Sequence, residues 1–284
     1  MVKIISDSTC DLSRELLEKY DISILPLHIL LGEEEYKDGR NITIEEIYDW
    51  SESHKETPKT SAPSIDHAVE LFEPYIKQGN EIVCFSISET MSSSGNIMRM
   101  AAEQMEAERS IHVIDSQNLS TGIGLLVVEA AIMAKEGKTA EEIVQRMEEL
   151  IPRVRASFVV DTLVYLHRGG RCSGLAAMAG GALKLHPRIQ VVNGVMQSGK
   201  KYRGSMDKVI LSYVKDMEEE LKAADRSRVF ITHSGCSKEI VEQVRQYLEG
   251  LDIFSEIWET RAGGVVSSHC GPGTLGVLFI ASAS

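Results

Sequence analysis

Glu81-Ile82-Val83-Cys84-Phe85-Ser86-Ile87-Ser88-Glu89-Thr90-Met91-Ser92-Ser93-Ser94-Gly95-Asn96-Ile97-Met98-Arg99-Met100-Ala101-Ala102 is the stretch whose reading decides the fold. Its apolar run, 82–87, has the length of a strand. A hydroxyl-rich turn follows, and then a helix-forming segment that Ser92 to Asn96 are expected to cap. A turn of this kind is an anion pocket. The first N–H groups of a helix lack internal partners and lie at its positive end, and serine hydroxyls beside them add donors.

Working outward, the same junction recurs. A short apolar strand over 2–5 runs into the polar loop Ser6-Asp7-Ser8-Thr9-Cys10-Asp11 and a helix over 12–20. A strand is expected over 22–31, a charged surface loop over 32–40, and another strand over 111–114. Thr43-Ile44-Glu45-Glu46 and Thr139-Ala140-Glu141-Glu142 are capping boxes that start helices. The two-proline segment Thr57 to Ser64 reads as a connector, with Ser64 capping the next helix. A mostly buried helix is expected over 122–135. Strands alternating with helices imply a mostly parallel sheet whose ligands sit at the carboxyl ends of the strands. The fold class is therefore α/β, with one α/β domain over 1–155 and a second over 156–284.

The second segment opens with a strand over 156–160 and a helix over 161–167, followed by Arg168-Gly169-Gly170-Arg171. Residues 174–185 are Ala/Gly-rich and suit a closely packed helix. Asn193-Gly194 between apolar flanks marks a hairpin. From Arg168 to Arg203 the chain carries Arg168, Arg171, Lys184, Arg188, Lys200, Lys201 and Arg203 and no acid, a face that suits a phosphate, an acidic partner or plain solvent.

Composition narrows the function. With 43% hydrophobic residues in 284, a sizeable core can form. A formal charge of −12, from 30 basic and 42 acidic residues, repels nucleic acid and acidic lipid surfaces. The five cysteines are scattered and never spaced as Cys-x-x-Cys, which suggests neither disulfides nor a metal site. No apolar signal core or membrane span stands out, so a cytoplasmic protein without stable membrane insertion is expected.

Nucleotide and esterase signatures are missing. Gly194-Val195-Met196-Gln197-Ser198-Gly199-Lys200-Lys201 imitates a P-loop, but it lies in a hairpin and has lysine where a metal-binding hydroxyl is required. No Gly-x-Ser-x-Gly elbow occurs. What remains is a set of loops bearing hydroxyls and one histidine: Thr60-Ser61, Ser92-Ser93-Ser94 and His269. Separately these are helix caps and a turn histidine. Together they suit a carboxylate, because hydroxyls, backbone N–H groups and an imidazolium hold a single negative charge without a buried lysine.

The segments Ser6 to Leu12, Lys59-Thr60-Ser61-Ala62-Pro63-Ser64, Ser94-Gly95, Gly169-Gly170-Arg171 and His269-Cys270-Gly271-Pro272-Gly273 together resemble the DegV family, in order and over nearly the whole chain. The resemblance implies two α/β domains enclosing one long-chain fatty acid, such as palmitate, between them, with no cofactor and no metal. It implies that Thr60, Ser61, Ser93, Ser94 and His269 bind the carboxylate, with Arg171 near the mouth and Arg203 a further mouth or partner contact. It also implies a non-catalytic role in fatty acid metabolism and phospholipid synthesis, presenting the carboxylate to a separate ATP-using fatty acid kinase subunit that makes acyl phosphate. Ala62 stands where the family often has glutamine, and Asn96-Ile97 where it often has Thr-Tyr. Which of Ser92, Ser93 and Ser94 touches the ligand stays open. Two rivals stay open as well: a Ser/His acyl hydrolase using Ser93 or Ser94 with His269, and a small-carboxylate sensor without a lipid tunnel.

Overall fold

The computed structural model describes residues 1–170 and 185–283. In chain order the first elements are β1 (Val2–Asp7), α1 (Arg14–Tyr20), β2 (Ser23–Leu25), β3 (His28–Leu31), β4 (Glu34–Lys37), α2 (Ile44–His54), β5 (Lys59–Ser61) and α3 (Ile65–Lys77). They are followed by β6 (Glu81–Ser86), α4 (Ser94–Gln104), β7 (Ile111–Asp115), α5 (Thr121–Lys135) and α6 (Ala140–Leu150). Then come β8 (Val154–Val159), α7 (Val164–Arg168), β9 (Leu185–Val192), β10 (Val195–Arg203), α8 (Met206–Asp216) and α9 (Glu218–Lys222). The chain closes with β11 (Ala224–His233), α10 (Lys238–Gly250), β12 (Glu256–Arg261), α11 (Gly264–Cys270) and β13 (Leu275–Ala281).

The expected parallel sheet forms in the order β2-β1-β6-β7, with every neighbouring pair parallel. Its order turns at β1, so the crevice between the carboxyl ends of β1 and β6 is the natural ligand edge. There the Ile87 N–H donates to the buried Asp7 carboxylate at 2.9 Å, joining the two post-strand loops. A second, six-stranded sheet, β10-β9-β8-β13-β11-β12, is antiparallel except for the β11–β12 pair.

Helix α5 lies between the two sheets, packed on β1 and β6 on one side and on β8 and β13 on the other. Its residues Ile123, Leu125, Leu126 and Val127 are fully buried, as its all-round apolar sequence requires. Both capping boxes form as expected. The hairpin turn places Asn193 at φ 49° and Gly194 at φ 79°, the left-handed pair that matches strand twist. The Ser88 and Thr90 hydroxyls both donate to the Gly194 carbonyl and fasten this hairpin to the turn after β6. Among the described residues, no helix is long and apolar enough to cross a membrane.

Three local expectations are corrected. The strand expected over 22–31 is two strands in different sheets. Pro26 offers no N–H, and the Leu27 N–H turns to the Ser8 hydroxyl at 3.1 Å instead of a ladder. β2 therefore joins the parallel sheet, whereas β3 pairs antiparallel with β4 and β5 in a separate three-stranded sheet. The loops expected over 32–40 and 57–64 thus each contain a short strand, hidden by charged and proline-rich composition. Finally, His269 lies on helix α11 rather than in a loop. The helix expected over 174–185 falls almost entirely outside the described residues.

Candidate functional site

At the carboxyl edge of the parallel sheet, the end of β5, the turn before α4 and helix α11 border a cavity of about 230 Å³. That exceeds the ~150 Å³ apolar cavity that accepts a benzene-sized molecule. Its wall changes character with depth. Ser61 and Ser93 are exposed and Thr60 and His269 half-buried, whereas Leu27, Leu119, Leu166, Val266 and Cys270 are buried. A hydroxyl-lined mouth thus leads into an apolar interior. Beyond Leu119, Val266 and Cys270, which border both spaces, a further void of about 20 Å³ reaches Phe158 and Leu278.

The polar residues are brought together by tertiary structure. Thr60 Oγ1 and His269 Nε2 lie 2.7 Å apart, joining strand β5 to helix α11. The helix is held at its N-terminus by carboxylates from distant loops. The Gly263 N–H donates to Asp11 and the Gly264 N–H to Asp38, each at 2.8 Å, and Asp38 also accepts from the Val265 N–H. Burial pushes the Asp11 carboxyl up to about 8 and raises Asp38 and Asp7 as well, against the opposing pull of these hydrogen bonds. At the other end of α11, a Cβ on Gly169 would lie 2.3 Å from His269 Nδ1. The Gly-Gly-Arg motif therefore begins with glycine because the imidazole packs directly on its backbone. Its arginine, Arg171, lies outside the described residues.

The serine turn differs from expectation. Helix α4 has Ser93 at its N-cap position without a side-chain cap bond, and the Ser92 hydroxyl instead accepts from the Ser94 N–H at 3.2 Å. Ser92 and Ser93 border the cavity. Ser94 is fully buried near Asp7, and it is not among the cavity residues. The structure thus gathers Thr60, Ser61, Ser93 and His269 and leaves Ser94 behind them. Arg203 is exposed at the end of β10, seven residues from the cavity residue Met196, or ~23 Å along a strand. Arg188 pairs with Glu220 at 2.9 Å and 3.0 Å and Lys200 with Asp216, so part of the acid-free segment is neutralised within the chain.

Sequence reasoning missed Asp11 and Asp38, which hold α11. For Asp11 the signal was acid and hydroxyl residues after the buried strand β1; Asp38 follows the half-exposed strand β4 and carried none. Burial also pushes the Cys270 thiol up to about 12, which makes it wall rather than nucleophile. Among the described residues, no three His, Cys, Asp or Glu side chains are grouped to hold a metal ion.

A family model for DegV, described as a family of uncharacterised proteins, matches residues 1–282. The chain belongs to the DegV family. A DegV domain-containing protein of Caldanaerobacter subterraneus subsp. tengcongensis is 31% identical to it over 280 residues, 98% of each chain. Among solved structures, a DegV family protein from Thermus thermophilus, described by its fatty acid binding, superimposes with a TM-score of 0.90 at 26% identity, covering 99% of both chains. A stearic acid-binding protein from Eubacterium ventriosum is 31% identical, with a TM-score of 0.86 over 99% of this chain and 98% of its own. The mixed α/β architecture with a mostly parallel first sheet is thus that of fatty-acid-binding DegV proteins.

Proposed function

We propose that this chain binds one long-chain fatty acid, of about palmitate to stearate length, with its carboxylate at Thr60, Ser61, Ser93 and His269 and its tail in the apolar interior. The carrying observation is the graded cavity itself, with hydroxyls and an imidazole at the mouth and buried aliphatic side chains behind. The Thermus and Eubacterium relatives support the ligand class. In this reading residues 1–155 and 156–284 are two domains that enclose the ligand between them.

Magnitudes divide the work between tail and head. At ~0.8 kcal/mol per buried CH₂, a long acyl chain supplies on the order of 10 kcal/mol, whereas one charge-assisted hydrogen bond nets ~1.5–3 kcal/mol. The tail sets affinity and the mouth sets orientation. Because Ser61 and Ser93 are exposed, a carboxylate held there faces solvent and a partner protein. This supports a cytoplasmic carrier with no chemistry of its own that presents the carboxylate to a separate ATP-using kinase, as a supplier of acyl phosphate to phospholipid synthesis.

Native mass spectrometry of delipidated protein with stearate tests the binding step. One bound acid per chain is expected, and a chain that takes up none sinks the proposal. The kinase step is read by acyl phosphate formation from loaded protein, ATP and the kinase subunit encoded by the same cell. Equal formation from free fatty acid without this chain removes the presenting role.

A further inference from the structure

Four side chains form a continuous row beside the Thr60–Ser61 strand. His28 Nδ1 lies 3.0 Å from Glu35 Oε1, His28 Nε2 lies 3.4 Å from His67 Nδ1, and His67 Nε2 lies 2.9 Å from Lys37 Nζ. The two ends fix the protons between them. A carboxylate only accepts and an ammonium only donates, so His28 donates through Nδ1 to Glu35 and His67 donates through Nδ1 to His28 Nε2. Lys37 then donates to His67 Nε2. In this arrangement each contact in the row holds one proton.

The row ties together both flanks of the segment that carries the mouth. His28 stands opposite Ser61 in the β3–β5 ladder, so their side chains share a sheet face, while Thr60 points to the other face and meets His269. His67 lies in the first turn of α3, where its N–H donates to the Ser64 cap at 3.2 Å. Segment 60–64 is thus anchored by a ladder at one end and by a helix cap at the other. The His28–His67 contact joins the two anchors directly.

We propose that His28 and His67 are positioning residues for the carboxylate mouth, and that one added proton on His28 releases segment 60–64 and weakens cargo binding. The proposal rests on the reading that Thr60 and Ser61 hold the carboxylate.

Donor counting gives the direction. A second proton on His28 sets an N–H at Nε2 against the His67 Nδ1–H. Moving the His67 proton to Nε2 sets it against the Lys37 ammonium instead, so a donor meets a donor either way. The groups facing the pair come from every neighbouring element. β4 supplies Glu35, which favours a second proton, and Lys37, which opposes it. α3 carries the exposed Asp66 and Glu70 on either side of His67, β5 carries Ser61 opposite His28 with Lys59 two residues before, and α11 places His269 on the far face. Burial, joined by the Lys37 ammonium and opposed by Glu35, lowers His28 below the usual histidine range. The row therefore holds at neutral pH and opens in mild acid.

The test is a titration of a fluorescent fatty acid against wild type, His28→Gln and His28→Ala between pH 8 and pH 5. Glutamine keeps an acceptor near the Nε2 position but does not titrate. Wild type is expected to lose about fivefold to tenfold in affinity in acid, His28→Gln to show no such acid step, and His28→Ala to be about fivefold weaker already at pH 7. The cargo's own titration is common to all curves and cancels. An acid step that persists in His28→Gln, or a wild-type curve identical to it, overturns the proposal. Should His28→Ala not fold, the other two curves decide. Should wild type bind no fatty acid, the carboxylate reading has failed on its own. Amide exchange over 60–64 in the cargo-free proteins then decides, since only wild type should loosen in acid beyond the intrinsic pH effect.

Discussion

The Thr60 hydroxyl and the His269 imidazole meet at 2.7 Å across 209 residues of sequence, and this contact joins strand β5 to helix α11 at the mouth of the cavity. Thr60→Val keeps the shape and strand propensity of the side chain and removes only the hydroxyl. Fatty acid affinity should fall about fivefold to tenfold by calorimetry, the worth of roughly one hydrogen bond, while the thermal midpoint changes little. Unchanged affinity would remove Thr60 from the mouth.

The Gly169 backbone is helical, with φ −70°, so alanine there meets no conformational penalty. The obstacle is the His269 ring, 2.3 Å from where the methyl would stand. Gly169→Ala should displace the imidazole and weaken binding about tenfold. Because Thr60→Val acts through the same imidazole, the double variant should lose less than the product of the two single losses. Fully multiplicative losses would show that Gly169 acts elsewhere.

How much of this could be seen beforehand differs by element. The strand, turn and helix around Ser92 follow from local pattern, as does the hairpin at Asn193-Gly194, where backbone preference alone selects the turn. Helix α11 could not be read this way. It is a seven-residue helix with only glycine, valine and serine before His269, no capping side chain of its own, and N–H groups satisfied by Asp11 and Asp38 from more than 220 positions away. Likewise, nothing local distinguishes Ser93 from Ser94. Only the tertiary packing of the turn separates the fully buried Ser94 from the exposed Ser93. Pro26 did carry a local signal, but its effect depended on Ser8 being in place to receive the redirected chain.

Asp11 gives a pH prediction with a definite sign. Its folded value, about 8, lies above the ordinary 3.8, so between those values the folded state holds a proton that the unfolded state has lost. Stability from this group is full below about pH 4 and declines as pH rises to 8. Asn at position 11 mimics the protonated form, accepting from the Gly263 N–H and donating to the Ser120 hydroxyl, which Asp11 now meets at 2.5 Å. The thermal midpoint of Asp11→Asn should therefore rise relative to wild type with pH, by on the order of 5 °C at pH 8. Parallel midpoint curves across pH 4 to 8 would show that Asp11 ionises normally.

Val266 borders both the main cavity and the smaller void that reaches Phe158. Phenylalanine at this position should fill apolar space that the tail would otherwise occupy, and Val266 carries no polar side-chain group of its own. A chain denied one or two methylenes loses ~0.8–1.6 kcal/mol, or roughly fourfold to fifteenfold in affinity. Val266→Phe should thus bind stearate more weakly than wild type does and medium-chain acids about as well. A panel of saturated acids of increasing length, titrated against both proteins, reads this directly. Equal losses at every length would mean that the tail does not run past Val266 toward Phe158 and Leu278.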